Sequence, residues 1–174
     1  MAILGIDDFK SKLTGGGARI NMFKATLNYP SFVGGDVEKT SFLCKAASLP
    51  ASTITQLPVK FRGRELKMAG DRTFADWAVT IINDTDFAIR DAFERWSNGI
   101  NAHSANTGLA NTNDYFVDLM VEQLDRDGST LKKYDFRGCW PSEIAAIEVS
   151  NDSEGIEDFA VTFAVQYWES NTTS

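Results

Sequence analysis

The C-terminal segment Glu157–Glu169 alternates between two faces. One face carries large apolar side chains: Phe159, Val161, Phe163, Val165 and Tyr167. The other face carries Ala160, Thr162, Ala164, Gln166 and Trp168. A period of two residues is typical of a β-strand with one buried face. Whatever else this chain forms, it must therefore build a sheet around this strand.

Further segments with strand character recur along the chain, and turn residues separate them. The predicted strands are Ile20–Tyr29, Thr40–Ala46, Phe74–Asn83, Tyr115–Arg126, Thr130–Cys139, Ile144–Ser150 and Glu157–Glu169. Arg62-Gly63 indicates a hairpin within Val59–Met68, and Asp127-Gly128 indicates another hairpin turn. Pro141 is expected to end the strand that precedes it, because proline removes a backbone donor. The last two predicted strands are expected to pair around an acidic turn.

Only one segment shows a strong helical period. Its apolar stripe is Phe87, Ile89, Ala92, Phe93, Trp96 and Ile100. Asp84 is predicted to cap this helix and Gly99 to mark its C-terminus. Several short strands with one flanking helix predict a mainly β (α+β) fold, an antiparallel sandwich or barrel.

The length and the aromatic content fit a single domain. The chain has 174 residues with 12 Phe and 4 Trp, enough to fill a core. Residues 1–19, which include the three consecutive glycines at positions 15–17, are predicted to form a flexible N-terminal arm, so that residues 20–174 form the domain. The polar segment Asn101–Asp114 is predicted to be an exposed, mobile loop. The predicted core aromatics are Trp77, Phe93, Trp96, Trp140, Phe163 and Trp168.

The charge is acidic overall and unevenly distributed. A net charge of −7 argues against sequence-specific binding of nucleic acid, which needs a basic surface. Five bases cluster in one segment: Lys60, Arg62, Arg64, Lys67 and Arg72. Residues 141–174 contain seven acids and neither Lys nor Arg. Either both segments are merely solvated, or copies of the chain dock head to tail through them.

No pattern indicates catalysis, a cofactor or a metal site. The single histidine, His103, lies in the polar loop without partners at ligand spacing. No GxSxG nucleophile motif is present. Cys44 and Cys139 fit two reduced, buried thiols better than a disulfide. No apolar run approaches the roughly 20 residues that cross a bilayer, so membrane insertion is not expected. The N-terminal sequence MAILGIDDFKSK has acids where a signal peptide needs bases, so a signal peptide is not expected either.

The segment AGDRTFADWAVTIIND (Ala69–Asp84) resembles the signature segment of the tail tube proteins of contractile-tailed bacteriophages. Further segments follow in the family's order: FLCKAASLPAS (Phe42–Ser52), LPVKFRGREL (Leu57–Leu66), FERWSN (Phe93–Asn98), FRGCWPSEI (Phe136–Ile144) and FAVTFAVQYWE (Phe159–Glu169). Together they cover most of the chain from about residue 20 onward.

The resemblance implies a structural virion protein with a β-sandwich repeating unit. Members of the family form hexameric rings in which inner strands close into one barrel, and the rings stack into a tube inside a contractile sheath. The implied partners are the sheath protein, the baseplate and the tail-terminator proteins, and DNA passes down the lumen without specific binding. The implied location is the virion, after assembly in the host cytoplasm.

The resemblance also implies roles for particular residues. An extended loop before the signature segment contacts neighbouring subunits in the family, which places Arg62, Arg64 and Lys67 at an interface. Lys60 and Arg72 belong to the same basic segment. Asp152 and Glu154 are the hypothesised acidic counterparts.

Asp118 and Glu122 share one face of the predicted strand Tyr115–Arg126. We predict that both line the lumen, because an acidic wall repels phosphates; solvation on the outer surface is the alternative. Within the signature segment, Gly70 is predicted to permit a turn and Trp77 to anchor the sandwich.

Several other functions are consistent with this sequence. Within the class, the chain fits a baseplate tube-initiator or a tube subunit of a phage-derived contractile injection system. From a different class, a β-sandwich carbohydrate-binding module suits the polar loop and the aromatic residues, and it predicts a stable monomer. An acidic hydrolase that uses His103 is the third alternative.

Overall fold

The computed structural model describes residues 5–173. Its α-helices are α1 (Ile6–Lys12), α2 (Val37–Leu43) and α3 (Ala88–Ile100). Its strands are β1 (Phe23–Thr26), β2 (Cys44–Ala47), β3 (Ser52–Phe61), β4 (Arg64–Phe74), β5 (Trp77–Ile82), β6 (Val117–Leu124), β7 (Thr130–Ile144), β8 (Asp158–Ala164) and β9 (Tyr167–Ser170). The first four residues of the predicted arm, and Ser174, lie outside the described residues.

The strands form one bent antiparallel sheet and a separate hairpin. The sheet order is β1-β6-β7-β8-β5-β2, β9 also pairs with β7, and β3 pairs only with β4. β7 joins two layers, because its first part pairs with β6 and β9 and its last residues pair with β8. Gly138 lies at this bend with φ +62°, a backbone conformation that favours glycine. The mainly β, antiparallel fold class predicted from the sequence is confirmed.

The core lies between the two layers and under α3. Trp77 stacks on Phe136 with ring centroids 4.3 Å apart, and Phe93 meets Phe163 edge to face at 5.9 Å. Trp96 is also fully buried. Two of the predicted core aromatics are less buried than these. Trp168 is half-buried and packs against the core, whereas Trp140 is half-buried and lies outside the core cluster.

The apolar stripe of α3 faces the core as the sequence predicted, but the start of the helix differs. Phe87, with φ +53°, precedes the helix, and the Asp86 carboxylate accepts the Ala88 N–H at 3.1 Å. The prediction that Asp84 caps the helix was wrong. Asp84 instead accepts the Thr85 N–H at 2.7 Å and forms an ion pair with Lys39.

Gly99 lies inside α3 and does not end it, since the helix continues to Ile100. The ring of Phe32 packs against Gly99, where a Cβ atom would lie 2.5 Å from that ring. This glycine therefore serves a close side-chain approach and not a helix stop.

The prediction of a strand over Thr40–Ala46 was mostly wrong. Helix α2 covers Val37–Leu43, and the Asp36 carboxylate caps it by accepting the Lys39 N–H at 3.0 Å. Only the last part of the predicted strand pairs with β5, as β2.

Pro141 does not break β7, contrary to the prediction. It pairs with Phe163 beside a register shift between Pro141 and Glu143, which is where a strand tolerates proline. The predicted strand Ile144–Ser150 is also wrong beyond its first residue, because residues 145–157 are irregular. The strand predicted over Glu157–Glu169 is interrupted at Val165 and Gln166, between β8 and β9.

A substitution in the core should be far more costly than a matched one at its margin. Phe93→Ala removes a fully buried ring and should lower the free energy of unfolding by about 3–5 kcal/mol. Phe87→Ala, at an exposed position just before the same helix, should cost about 0.5 kcal/mol or less. Urea unfolding followed by circular dichroism measures both, and equal costs would contradict this packing.

An ion cluster ties α2 to the segment before α3 and should give pH-dependent stability. The Lys39 ammonium lies 2.5 Å from Asp86 and 3.1 Å from Asp84, and its hydrogen bonds lower the pKa of both carboxyl groups. Stability from a lowered carboxyl pKa is complete above the ordinary value near 4 and is lost as the pH falls through the lowered value. Lys39→Gln should therefore be less stable than the wild type at pH 7, and the difference should narrow below about pH 4.

Lys67→Gln is the control for this prediction, since Lys67 is exposed, lies opposite Pro58 and forms no ion pair within residues 5–173. The urea unfolding midpoints of both variants and the wild type are compared from pH 7 down to pH 2.5. A Lys39→Gln deficit that stays constant over this range would show that the lysine acts through packing and not through charge.

Candidate assembly surfaces

The hairpin of β3 and β4 stands outside the sandwich. Every residue of β3 is exposed, and so is almost every residue of β4. Arg62 and Gly63 have φ values of +47° and +81°, as a two-residue hairpin turn requires. The hairpin predicted over Val59–Met68 is confirmed, and it is longer than predicted.

One face of this hairpin is apolar and has no partner within the described chain. The register pairs Leu57 with Met68 and Val59 with Leu66, and Phe61 lies on the same face beside the turn. The exposed fractions of these five side chains range from 47% to 69%. We call this surface the apolar hairpin face. A two-stranded hairpin is at best marginally stable in water by itself. Burial of this surface against a partner would therefore stabilise the hairpin.

Most of the predicted interface bases lie off this face. Lys60, Lys67 and Arg72 lie on the opposite, polar face, and Arg62 lies in the turn. Arg64 is the exception, because it pairs with Phe61 at the turn end of the apolar hairpin face. Our sequence interpretation followed the charges and missed the apolar face. The signal was present in the alternation of LPVKF and ELKM, which places apolar residues at every second position.

Gly70 does not form the predicted turn, because it lies inside β4. The register shifts here, so that Gly70 and Asp71 together oppose Thr55, which is a β-bulge. The Thr55 hydroxyl donates to the Asp71 carbonyl at 2.9 Å. A Cβ atom on Gly70 would lie 2.8 Å from that hydroxyl, so glycine is needed for the close approach of the two strands.

The acidic loop of residues 145–157 forms a second exposed surface. Asp152 and Glu154 are both exposed, and so are the apolar side chains of Val149 and Ile156. Among residues 5–173, neither acid forms an ion pair with a base of the hairpin. A contact between the two segments would therefore have to join different copies.

A third surface is the face of β1, β6, β7 and β9 that points away from the core. The burial pattern of β6 places Leu119 and Val121 in the core and Asp118 and Glu122 on the opposite face. We call this opposite face the charged face. Its charged members are Lys24, Asp118, Glu122, Lys133, Asp135, Arg137 and Glu169.

The charged face is less acidic than the sequence interpretation expected. Glu122 lies directly between Lys24 and Lys133 on the neighbouring strands. Arg137 bridges two other acids, at 2.7 Å from Asp118 and 3.4 Å from Glu169. The hydrogen bond that the Arg137 guanidinium donates to Asp118 raises the pKa of Arg137. Four carboxylates against three bases leave this face with one net negative charge per subunit.

Groups with catalytic potential are scattered or buried. His103 is exposed in the loop after α3, where its backbone N–H donates to Asn98. Both cysteines are free, and burial raises the pKa of Cys44 to about 11 and that of Cys139 to about 12. No group of three potential metal ligands occurs within residues 5–173, and no helix there is long and apolar enough to cross a membrane. Trp77 and Trp96 are fully buried, so they cannot form a sugar-binding platform.

Comparison with solved structures supports the fold. The chain superposes on the sheath/tube terminator of the PVC extracellular contractile injection system with a TM-score of 0.67 at 12% identity, covering 89% of this chain and 96% of that one. The tube-terminating cap of the anti-feeding prophage gives a TM-score of 0.66 at 16% identity, with 91% and 92% covered. At such identities the similarity establishes a shared architecture only.

Sequence comparison goes further. The chain is 35% identical over 154 residues to the tail tube protein gp19 of Enterobacteria phage T4, covering 87% of this chain and 91% of that protein. It is 28% identical over 149 residues to the tail tube protein of Serratia phage KSP90, with 83% and 84% covered. The family model for phage tail tube proteins matches residues 15–171. The chain therefore belongs to the phage tail tube protein family.

Proposed function

We propose that this protein is the major tail tube subunit of a contractile-tailed bacteriophage. Six copies form a ring, and the rings stack into a tube that lies inside a contractile sheath and conducts the genome into the host. Family membership supports the role of a tube subunit. The observation in the structure that carries self-assembly is the apolar hairpin face.

The energetics of the apolar hairpin face favour association between copies. Fully burying one large apolar side chain contributes about 1.5–3 kcal/mol. Five side chains that are already about half covered would contribute roughly 4–7 kcal/mol per subunit, before the entropy lost on association. The five bases on the polar face and at the turn add charge complementarity, with Asp152 and Glu154 of another copy as the proposed counterparts. Rim charges of this kind select the partner and its orientation more than they add affinity.

The edges of one layer support closure into a ring. This layer has the order β1-β6-β7-β9, in which β1 pairs only with β6 and β9 only with β7 among the described strands. Free edges of this kind are sites of uncontrolled pairing. Joining six such layers edge to edge would close a barrel in which no edge remains.

The charged face of this layer then lines the lumen, with Asp118 and Glu122 toward the passing DNA. A basic wall would retain DNA, because each neutralised phosphate adds affinity through counterion release. The nearly balanced charge of this face avoids that affinity. Arg137 is held by two carboxylates, which keeps its guanidinium from phosphates.

The remaining partners follow from the tube itself. A tube of this kind requires a sheath protein around it, a baseplate that starts it and a terminator that ends it. It belongs to the virion and assembles in the host cytoplasm. No catalytic role and no cofactor are part of this proposal.

Cryo-electron microscopy of the purified protein over a concentration series tests the proposal. We expect hollow, sixfold rods in which Asp118 and Glu122 face the channel. A chain that stays monomeric at every concentration, even with preformed baseplates as seeds, would contradict the role in the tube. Rods with both carboxylates on the outer surface would be consistent with a tube subunit. They would contradict the proposal that Asp118 and Glu122 line the lumen.

A charge placed on the apolar hairpin face should prevent assembly. Val59→Lys puts an ammonium group at the centre of this face, so rods should be lost while the fold of the monomer is kept. Gln56→Lys makes the same change on the polar face of the same strand and serves as the matched control. Sedimentation velocity measures the assembled fraction, and equal assembly of the two variants would show that the apolar hairpin face is not an interface.

A further inference from the structure

Helix α1 buries none of its own residues, although the sequence around it specifies a helix. The Asp8 carboxylate accepts the Gly5 N–H at 3.2 Å, acids lie in the first turn, and lysines lie in the last. Such a short helix is marginal in water unless an apolar side packs against something. Residues 5–14 also precede the region that matches the tail tube family, so that match assigns them no role.

The apolar residues of α1 form one stripe. Ile6, Phe9 and the C-cap residue Leu13 have spacings of three and four, which place them on one side of the helix. Their side chains are 72%, 63% and 43% exposed. Gly15, Gly16 and Gly17 follow, all with positive φ. This linker separates α1 from the sandwich.

A groove of about 1040 Å³ lies where the sandwich is left open, between the end strands β1 and β2 and beside α2. Its apolar lining includes Ile20, Phe23, Val37, Phe42 and Leu124. Ile20 is 95% exposed and Phe42 81%, the highest values among the exposed large apolar side chains of the described residues. The groove is thus bordered by two end strands and by the two highly exposed side chains of Ile20 and Phe42.

The size and the charge of the groove fit α1. Seven helical residues span about 10 Å and have a diameter of about 10–12 Å, so an open groove of this size has room for the apolar side of α1. Its charged lining residues are Lys24, Lys45 and Glu38, and Lys45 also pairs with Asp158. Lys24 is thus the base in the groove that has no ion pair within residues 5–173, and it complements Asp7 and Asp8 in the first turn of α1. Both apolar surfaces belong to the same chain and yet remain exposed in it, which favours pairing between copies.

We propose that helix α1 of one copy docks, through Ile6, Phe9 and Leu13, into the groove between β1 and β2 of an adjacent copy. This inference rests on the proposed tube, which places copies side by side. Docking would cover the opening of each sandwich and would link successive subunits by an exchanged arm. It adds a second apolar contact to that of the hairpin, on a different part of the molecule.

Cysteine cross-linking of the full chain tests this docking. In a Cys44→Ser background, Ser41→Cys places a thiol in the groove and Lys10→Cys places one beside the apolar stripe, which keeps all three apolar residues. Oxidation with copper phenanthroline should give a ladder of disulfide-linked oligomers on a non-reducing gel. The control combines Ser41→Cys with Ser11→Cys, which lies on the opposite side of α1. It should give at least fivefold less disulfide-linked oligomer than the variant with Lys10→Cys. Phe9→Asp added to the first variant should abolish the ladder.

The outcomes separate this inference from the tube itself. A faster-moving monomer would show that α1 folds into its own groove, which overturns docking between copies. The absence of a ladder from the Lys10→Cys variant, or a ladder that survives Phe9→Asp, also overturns it, whether or not rods form. Rods seen by electron microscopy without a ladder would leave the tube intact and reject only the docked helix. A ladder without rods would uphold the docking and count against the tube.

Discussion

The exposed apolar side chains of the β3–β4 hairpin are the feature that most strongly favours assembly of this protein. A two-stranded hairpin cannot bury such side chains by itself, and the sandwich does not cover them. Exposure of these apolar side chains to water is unfavourable in an isolated chain. Contact with another molecule would bury them. In the proposed tube, the apolar hairpin face therefore connects the fold of one subunit to the assembly of many.

The sandwich does not depend on the hairpin for its own core. Trp77, Phe93, Phe136 and Phe163 pack among themselves, with α3 closing one side. The surfaces that remain unpaired or exposed lie at the margins of the sandwich. They are the end strands, the groove beside α2 and the hairpin. This division suits a tube subunit, because the monomer can fold before it meets a neighbour and still offer several surfaces to that neighbour. The charges of Glu122 and Arg137 likewise have partners of opposite sign within one subunit.

The sequence predicted best those elements with one buried face. β5, β6 and β8 alternate because one side of each packs in the core, and α3 has a helical stripe for the same reason. The charged face was also identified from alternation along β6, although its basic members on β1 and β7 could not be placed there without the strand register. That register depends on contacts between distant segments, which a local pattern does not contain.

The predictions that were wrong share a tertiary cause. Gly70 and Asp84 have the residue types of a turn and a cap, but a bulge opposite Thr55 and an ion pair with Lys39 determine what they do. Pro141 remains inside β7 because an adjacent register shift accommodates it. On the hairpin, the charges directed attention to Arg62 and Arg64, while the apolar alternation on the other face was read only as evidence for a strand. For the interface, that alternation was the stronger signal.

Hydrogen exchange measured by mass spectrometry, on monomer and on assembled particles, tests whether assembly buries the β3–β4 hairpin. The backbone amides of residues 52–74 should exchange rapidly in the monomer, because little of the hairpin is buried, and should become strongly protected on assembly. The amides of β5 and β8 should be protected in both states and act as an internal reference. Equal exchange of the hairpin in monomer and particle would contradict the claim that assembly completes the hairpin.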